Sequence, residues 1–231
     1  MSGAQQAIYM NQRSFRPTLP SVPAMQLSAY AFEGLADGTT VTSWTNIGSA
    51  GATYNASTAR GPVKTTVSGR PVLYFDGLDI MSLATAVNMS TGSVFYVAWQ
   101  LNSRMVVLGG ETPNGNCFLG WSENSNTGFL FRNTTDAGLT LSGLSSVASL
   151  KSFGIVKTST SSSKTFDNTT SGVSRGGLSG TFTFKGIGYR QAYGTQYSNG
   201  YIAEILFYDT ALNDTDAASV ITSLKNRWGI A

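Results

Sequence analysis

The sequence predicts an all-β domain of antiparallel strands closed by one short helix at its C-terminal end. From Gln26 onward, short apolar runs are separated by Gly, Asn, Asp and Ser clusters, the pattern of a β-sandwich or barrel. Composition agrees. Charged residues are 12% of the chain, about half the usual share of roughly 25%, while 26 glycines and long Ser/Thr/Asn stretches fill the gap, which excludes coiled coils and helical bundles. A length of 231 residues suits one large sandwich, and 41% hydrophobic residues suffice for its core. No apolar run approaches the roughly 18 residues a membrane helix needs.

Residues 1–25 read as an extended arm, because Pro17, Pro20 and Pro23 recur every third residue and favour a polyproline-like conformation without internal hydrogen bonds. The domain proper is assigned to 26–231. Its strands are Pro71–Phe75, Ser93–Trp99, Arg104–Leu108, Gly128–Phe131, Phe153–Val156 and Thr181–Phe184. In the last of these Phe182 and Phe184 share one face and the threonines the other, so this strand is half-buried. Tyr201–Tyr208 is apolar on both faces, which places it in the middle of a sheet or under a cover. The Ser/Thr run from Thr158 to Lys164 reads as a polar hairpin tip.

The helix is expected after Asn213. Ala217, Val220, Ile221, Leu224 and Trp228 recur on one helical face, which makes Trp228 a core residue. Asn213 is a suitable N-cap, Asp214 and Asp216 favour the positive start, Lys225 and Arg227 the negative end, and Gly229 closes the last turn.

Several chemistries are removed by what is missing. The chain has no histidine, so triads with a His base and His-ligated zinc are excluded. Its single cysteine, Cys117, allows no internal disulfide, and its apolar neighbours Phe118 and Leu119 indicate a buried, inert thiol. A net charge of +3 without a clustered basic run argues against nucleic acid. Met1–Gln6 shows no charged start followed by an apolar stretch, so no export signal is expected and synthesis in a host cytoplasm is. The five Asn-x-Ser/Thr sequons, at Asn55, Asn88, Asn133, Asn168 and Asn213, then carry no glycan information.

Four segments carry a resemblance. Trp44–Gly48, Pro71–Asp79, Gly200–Asp209 and Leu224–Ile230 together resemble the concanavalin A-like lectin/glucanase superfamily in its laminin-G-type branch, over residues 27–231. The resemblance implies a jelly roll of two antiparallel sheets, found in secreted lectin-like modules and in bacteriophage structural proteins. Glucanase members carry a strand of alternating acids, of which only Glu204 and Asp209 remain here. Their odd spacing puts them on opposite faces of a regular strand, away from the roughly 5 Å separation of retaining chemistry. No catalytic residue is assigned; Glu204 is read as a hydrogen-bonding or salt-bridge residue and Asp209 as a turn former.

Relatives that bind calcium or sugars do so through oxygen-rich loops. Asp76 and Asp79 are candidate calcium ligands, but two acids fall short of the six to eight oxygens of a typical site, and Asp76-Gly77 is a strong turn pair. Candidate glycan contacts are Trp121, Arg190, Tyr193 and Tyr197, with Asn114, Asn116 and Gln191 near them in sequence. The arm residues Phe15, Pro17, Leu19, Pro20, Val22 and Pro23 are candidates for holding a neighbouring subunit, the alternative being an arm folded back on its own domain. These features favour a non-enzymatic structural protein on a virion surface, a decoration of a phage-type capsid or tail. Its expected partners are the other capsid or tail proteins, further copies of itself, and host-surface glycans held weakly during host attachment. The alternative is a carbohydrate-binding, lectin-like module; a glycan-cleaving enzyme ranks third.

Overall fold

The computed structural model describes residues 18–101, 105–111, 117–121, 128–132, 138–142, 149–159, 161–176, 180–190 and 196–231, with side chains for all but 121, 128–132, 138–142, 176 and 196. The strands begin with β1 (Met25–Ser28), β2 (Ser43–Trp44), β3 (Ala56–Ser57), β4 (Val63–Val67), β5 (Arg70–Asp76), β6 (Met81–Met89), β7 (Gly92–Gln100), β8 (Met105–Gly109) and β9 (Phe118–Trp121). They continue with β10 (Gly128–Arg132), β11 (Gly138–Ser142), β12 (Lys151–Lys157), β13 (Ser162–Asp167), β14 (Val173–Gly176), β15 (Phe182–Ile187), β16 (Tyr189–Arg190), β17 (Gln196–Tyr197) and β18 (Asn199–Tyr208). Helix α1 (Asp214–Trp228) follows.

Two antiparallel sheets form a sandwich. The first runs β14-β13-β12-β7-β18-β5-β4, with β1 beside β18, and the second β11-β10-β9-β8-β15-β6-β3-β2; β16 and β17 pair separately. β5 and β1 share one edge of β18 end to end: Tyr201 lies opposite Tyr74 of β5, and Glu204 opposite Ser28 of β1. Between Ile202 and Glu204 the register of β18 against β7 shifts by one residue, a β-bulge at Ala203.

The first sheet is covered on both faces where α1 lies across it. Val94, Tyr96 and Ala98 alternate with Phe95 and Val97 along β7, and all five are buried. One set packs toward the second sheet; the other lies under α1, which contacts both β7 and β12. This explains why Tyr201–Tyr208 carries apolar residues on both faces, Glu204 being the exception. At Gly154 a Cβ would come 2.4 Å from the Phe95 ring, so the residue opposite Phe95 has to be glycine.

Helix α1 has the predicted ends and buried face. The Asn213 side chain accepts a hydrogen bond from the Asp216 N–H at 2.9 Å, and Gly229 closes the helix at φ 62°. Ala217, Val220, Ile221, Leu224 and Trp228 are all buried. No described helix is long and apolar enough to cross a membrane.

The described part of the arm lies on its own domain. The Pro23 and Ala24 carbonyls accept from the Ser49 and Ala50 N–H groups, Leu19 packs against the core, and the Ser223 hydroxyl donates to the Thr18 carbonyl at 3.1 Å. Pro23 is buried and Pro20 exposed, while Val22 is 71% exposed. Phe15 and Pro17 lie outside the described residues. Met25, assigned to the arm from sequence, is fully buried and opens β1, which corrects the boundary by one residue.

Candidate functional site

The sheet face under α1 is covered along only part of its length. Beyond the helix end, three aromatic side chains from three adjacent strands stand in register: Tyr74 on β5, Tyr201 on β18 and Trp99 on β7. Ring centroids are 5.3 Å apart for Tyr74–Tyr201 and 5.1 Å for Tyr201–Trp99, with interplanar angles of 42° and 40°. Direct cross-strand neighbours on one face meet this way because strands are spaced about 4.8 Å apart. All three side chains are half-buried. Among the described residues, neither phenol nor the Trp99 indole N–H makes a hydrogen bond, so the three polar tips remain open to solvent or a ligand.

A cleft of about 470 Å³ adjoins Trp99. One wall is the chain end, Trp228 to Ala231, and the other lining residues include Val67 and Ser68 on one side and Ser149, Leu150 and Asn168 on the other. The tail is held in place. The Asn168 side-chain amide donates to the Ala231 carbonyl at 3.1 Å, the Ile230 N–H to the Lys225 carbonyl at 2.9 Å, and the Arg70 guanidinium to the Arg227 carbonyl at 3.1 Å.

Glu204 anchors this region from below. Its side chain is fully buried and accepts from Gln26 Nε2 at 2.7 Å, from Trp228 Nε1 at 2.7 Å and from the Arg227 guanidinium. One carboxylate thus joins β1, β18 and the end of α1, the hydrogen-bonding and salt-bridge role read from sequence. Asp209 lies beyond the end of β18 and is exposed.

The residues singled out from sequence fall elsewhere. Arg190 corrects its expectation: it is 1% exposed, with its guanidinium 4.0 Å from the Phe118 ring centroid, so it is a core residue and not a surface sugar contact. Tyr197 is half-buried in the small β16–β17 ladder. Trp121 ends β9, where only its backbone is described, and Asn114, Asn116, Gln191 and Tyr193 lie outside the described residues. Asp76 and Asp79 build a turn: Asp76 Oδ1 accepts from the Leu78 N–H at 2.8 Å and Asp79 Oδ2 from the Asp76 N–H at 3.0 Å. Arg60 approaches both acids, at 3.7 and 3.8 Å, and burial pushes the Asp79 carboxyl above its ordinary value. Among the described residues no group of three or more potential ligands is placed to hold a metal ion. Cys117 is buried, and burial pushes its thiol up to about 12.

The aromatic row was not assembled from sequence. Tyr74, Trp99 and Tyr201 are far apart in the chain, and each sits in a run identified as a core strand. The usable signal was parity: each stands on the face opposite the core residues Phe75, Ala98 and Ile202, and Tyr and Trp suit a surface that is half apolar and half wet.

No protein-family model and no curated protein sequence matches the chain. Solved structures do. The receptor-binding domain of botulinum neurotoxin type G is similar at a TM-score of 0.57 and 11% identity, over 90% of this chain and 54% of that one. Domain 4 of an extracellular arabinanase from Geobacillus stearothermophilus, in complex with arabinotriose, is similar at 0.57 and 12%, over 87% of this chain and 98% of that one. A Trypanosoma rangeli sialidase in complex with sialic acid is similar at 0.53 and 11%, over 96% of this chain and 39% of that one. The chain therefore spans about half the neurotoxin domain, less of the sialidase, and nearly all of the arabinanase domain. Neither membership of the concanavalin A-like superfamily nor a link to phage proteins is shown by these matches. At such identities the likeness shows the fold, and that fold is the expected jelly-roll sandwich of two antiparallel sheets.

Proposed function

We propose that this domain is a non-catalytic carbohydrate-binding module whose binding surface is the Tyr74–Tyr201–Trp99 row. The row carries the reading. Aromatic faces stack on the C–H face of a sugar ring, and open phenol and indole groups beside them supply hydrogen bonds to its hydroxyls. Two of the similar structures were solved as sugar complexes, one with arabinotriose and one with sialic acid, which supports the same class of ligand here. The non-catalytic part of the reading rests on Glu204, whose two oxygens are committed to structural donors under full burial. The virion-surface role expected from the sequence has no observation in the fold behind it, and the lectin-like alternative is the better supported of the two.

A glycan array followed by calorimetry tests the proposal. The wild-type chain is expected to bind a subset of glycans, and Trp99→Ala to weaken that binding by roughly tenfold or more, about 1.4 kcal/mol. A blank array, or binding that is indifferent to Trp99→Ala, Tyr201→Ala and Tyr74→Ala, overturns it. Release of reducing ends that disappears in Glu204→Gln overturns the non-catalytic part.

A further inference from the structure

We infer that the row takes the interior of a single linear polysaccharide chain laid across the strands, rather than a chain end or the flat face of an insoluble polysaccharide; this rests on the carbohydrate-binding reading above. Three features of the surface lead there.

The first is repetition. Three aromatic rings recur at centroid steps of 5.3 and 5.1 Å along one line, so the surface offers the same contact three times and not one deep pocket. A ligand that uses all three must itself repeat at a similar pitch, as successive rings of an extended glycan do. A monosaccharide, or a single terminal sugar, covers one ring and leaves the others exposed.

The second is the lack of a common plane. Neighbouring rings are inclined by 42° and 40°, so a flat, rigid array of chains can lie against one ring face but not all three. A free chain rotates about its glycosidic bonds and follows the turn of the surface.

The third is the shape of the cleft beside the row. The tail from Trp228 to Ala231 runs from Arg70, whose guanidinium would collide with a Cβ on Gly229, toward Asn168, which holds Ala231. Arg70 begins β5, and Asn168 follows β13, on opposite sides of β7. Residues 228–231 therefore form a wall that runs alongside the row. The residues at the two ends of the cleft, Ser68 and Ser149, are exposed, and beyond Tyr74 the sheet ends at the edge strand β4. Among the described residues nothing closes the groove at either end, and a groove with one long wall and two such ends passes a chain and does not select its terminus.

The experiment titrates the full chain with linear gluco-, xylo-, manno- and arabino-oligosaccharides of one to six rings, before and after reduction of the terminal ring to the alditol. Pull-downs on microcrystalline cellulose and chitin accompany it. In the series that binds, the dissociation constant is expected to fall by roughly tenfold or more between one ring and three, then to level off. Reduction of the hexamer's end should change it by less than about twofold. Tyr74→Ala and Trp99→Ala should each shorten the length at which affinity levels off, whereas Tyr74→Phe, which keeps the ring and the packing, should leave that length unchanged. Affinity that is equal for one ring and six, loss of binding on end reduction, or retention on the crystalline solids overturns the inference and leaves carbohydrate binding standing. Silence of every series while a glycan array is positive also overturns it. Silence of both removes the underlying reading as well.

Discussion

Replacing Glu204 with alanine gives the sharpest test of how this domain is held together. The carboxylate is fully buried and satisfies three donors from two other elements: Gln26 on β1 and Arg227 and Trp228 at the end of α1. The Arg227 side chain is itself only 7% exposed, so the substitution takes a carboxylate partner away from a nearly buried cation. Breaking one partner of a buried pair costs about 3–5 kcal/mol, and the indole N–H of Trp228 loses its acceptor within that same range. A domain of this size loses roughly 2–4 °C of Tm per kcal/mol, so Glu204→Ala should melt on the order of 10 °C below wild type. Urea denaturation followed by far-ultraviolet circular dichroism gives the free energy, and amide exchange should show α1 losing protection first. Glu204→Gln keeps the volume and one acceptor oxygen and should cost less. If Glu204→Ala lies within about 1 kcal/mol of wild type with an unchanged denaturant slope, the buried carboxylate is not the anchor described here.

Three further expectations follow from single sites. Gly154→Ala puts a Cβ 2.4 Å from the Phe95 ring, which is itself packed against Phe166 and Tyr208, so overpacking should cost about 1–3 kcal/mol, and an unchanged Tm would contradict that crowding. Because burial raises the Cys117 thiol to about 12, native protein at pH 8 should resist a thiol reagent that the unfolded chain consumes at once. The sign for stability is set by the same shift: above the unfolded thiol's pKa, near 9, the unfolded chain releases a proton the folded one keeps, so stability should fall from about pH 9 toward 12, and Cys117→Ser should flatten that slope. Deleting residues 1–25 removes buried Met25 and the carbonyls of Pro23 and Ala24 that accept from Ser49 and Ala50, so the truncated chain should melt below wild type; an unchanged melt would refute that contribution.

The elements legible from sequence were those whose signal is local. Helix α1 has a cap, a periodic apolar face and a closing glycine within 17 residues, Asn213 to Gly229, and its ends match the expectation. The strands with concentrated β-branched and aromatic residues, such as β7 and β18, were equally visible. β13, Ser-Ser-Lys-Thr-Phe-Asp, has no apolar run, and β6, Met-Ser-Leu-Ala-Thr-Ala-Val-Asn-Met, spreads its buried residues unevenly through a small polar sequence, so neither was identified. The site was the least legible part. Trp121, Arg190, Tyr193 and Tyr197 were chosen for chemistry in loops, whereas the row of Tyr74, Tyr201 and Trp99 depends on the order of β5, β18 and β7, which one sequence does not specify.

The extra residue in β18 does more than bend the strand. Tyr201 and Glu204 are three apart, and in an unbroken strand an odd offset sends two side chains in opposite directions. Ala203 interrupts the alternation, so both point to the same side: the carboxylate toward α1, the ring into the surface row. Counting along the backbone thus ties a folding contact to a surface contact. Substitutions at either position are independent in principle, but removing or adding one residue between them is not, because it inverts one of the two whatever the side chains are. Length in this stretch should accordingly be harder to change than composition, and a related chain that lost the bulged residue would have to give up either the buried anchor or the exposed ring.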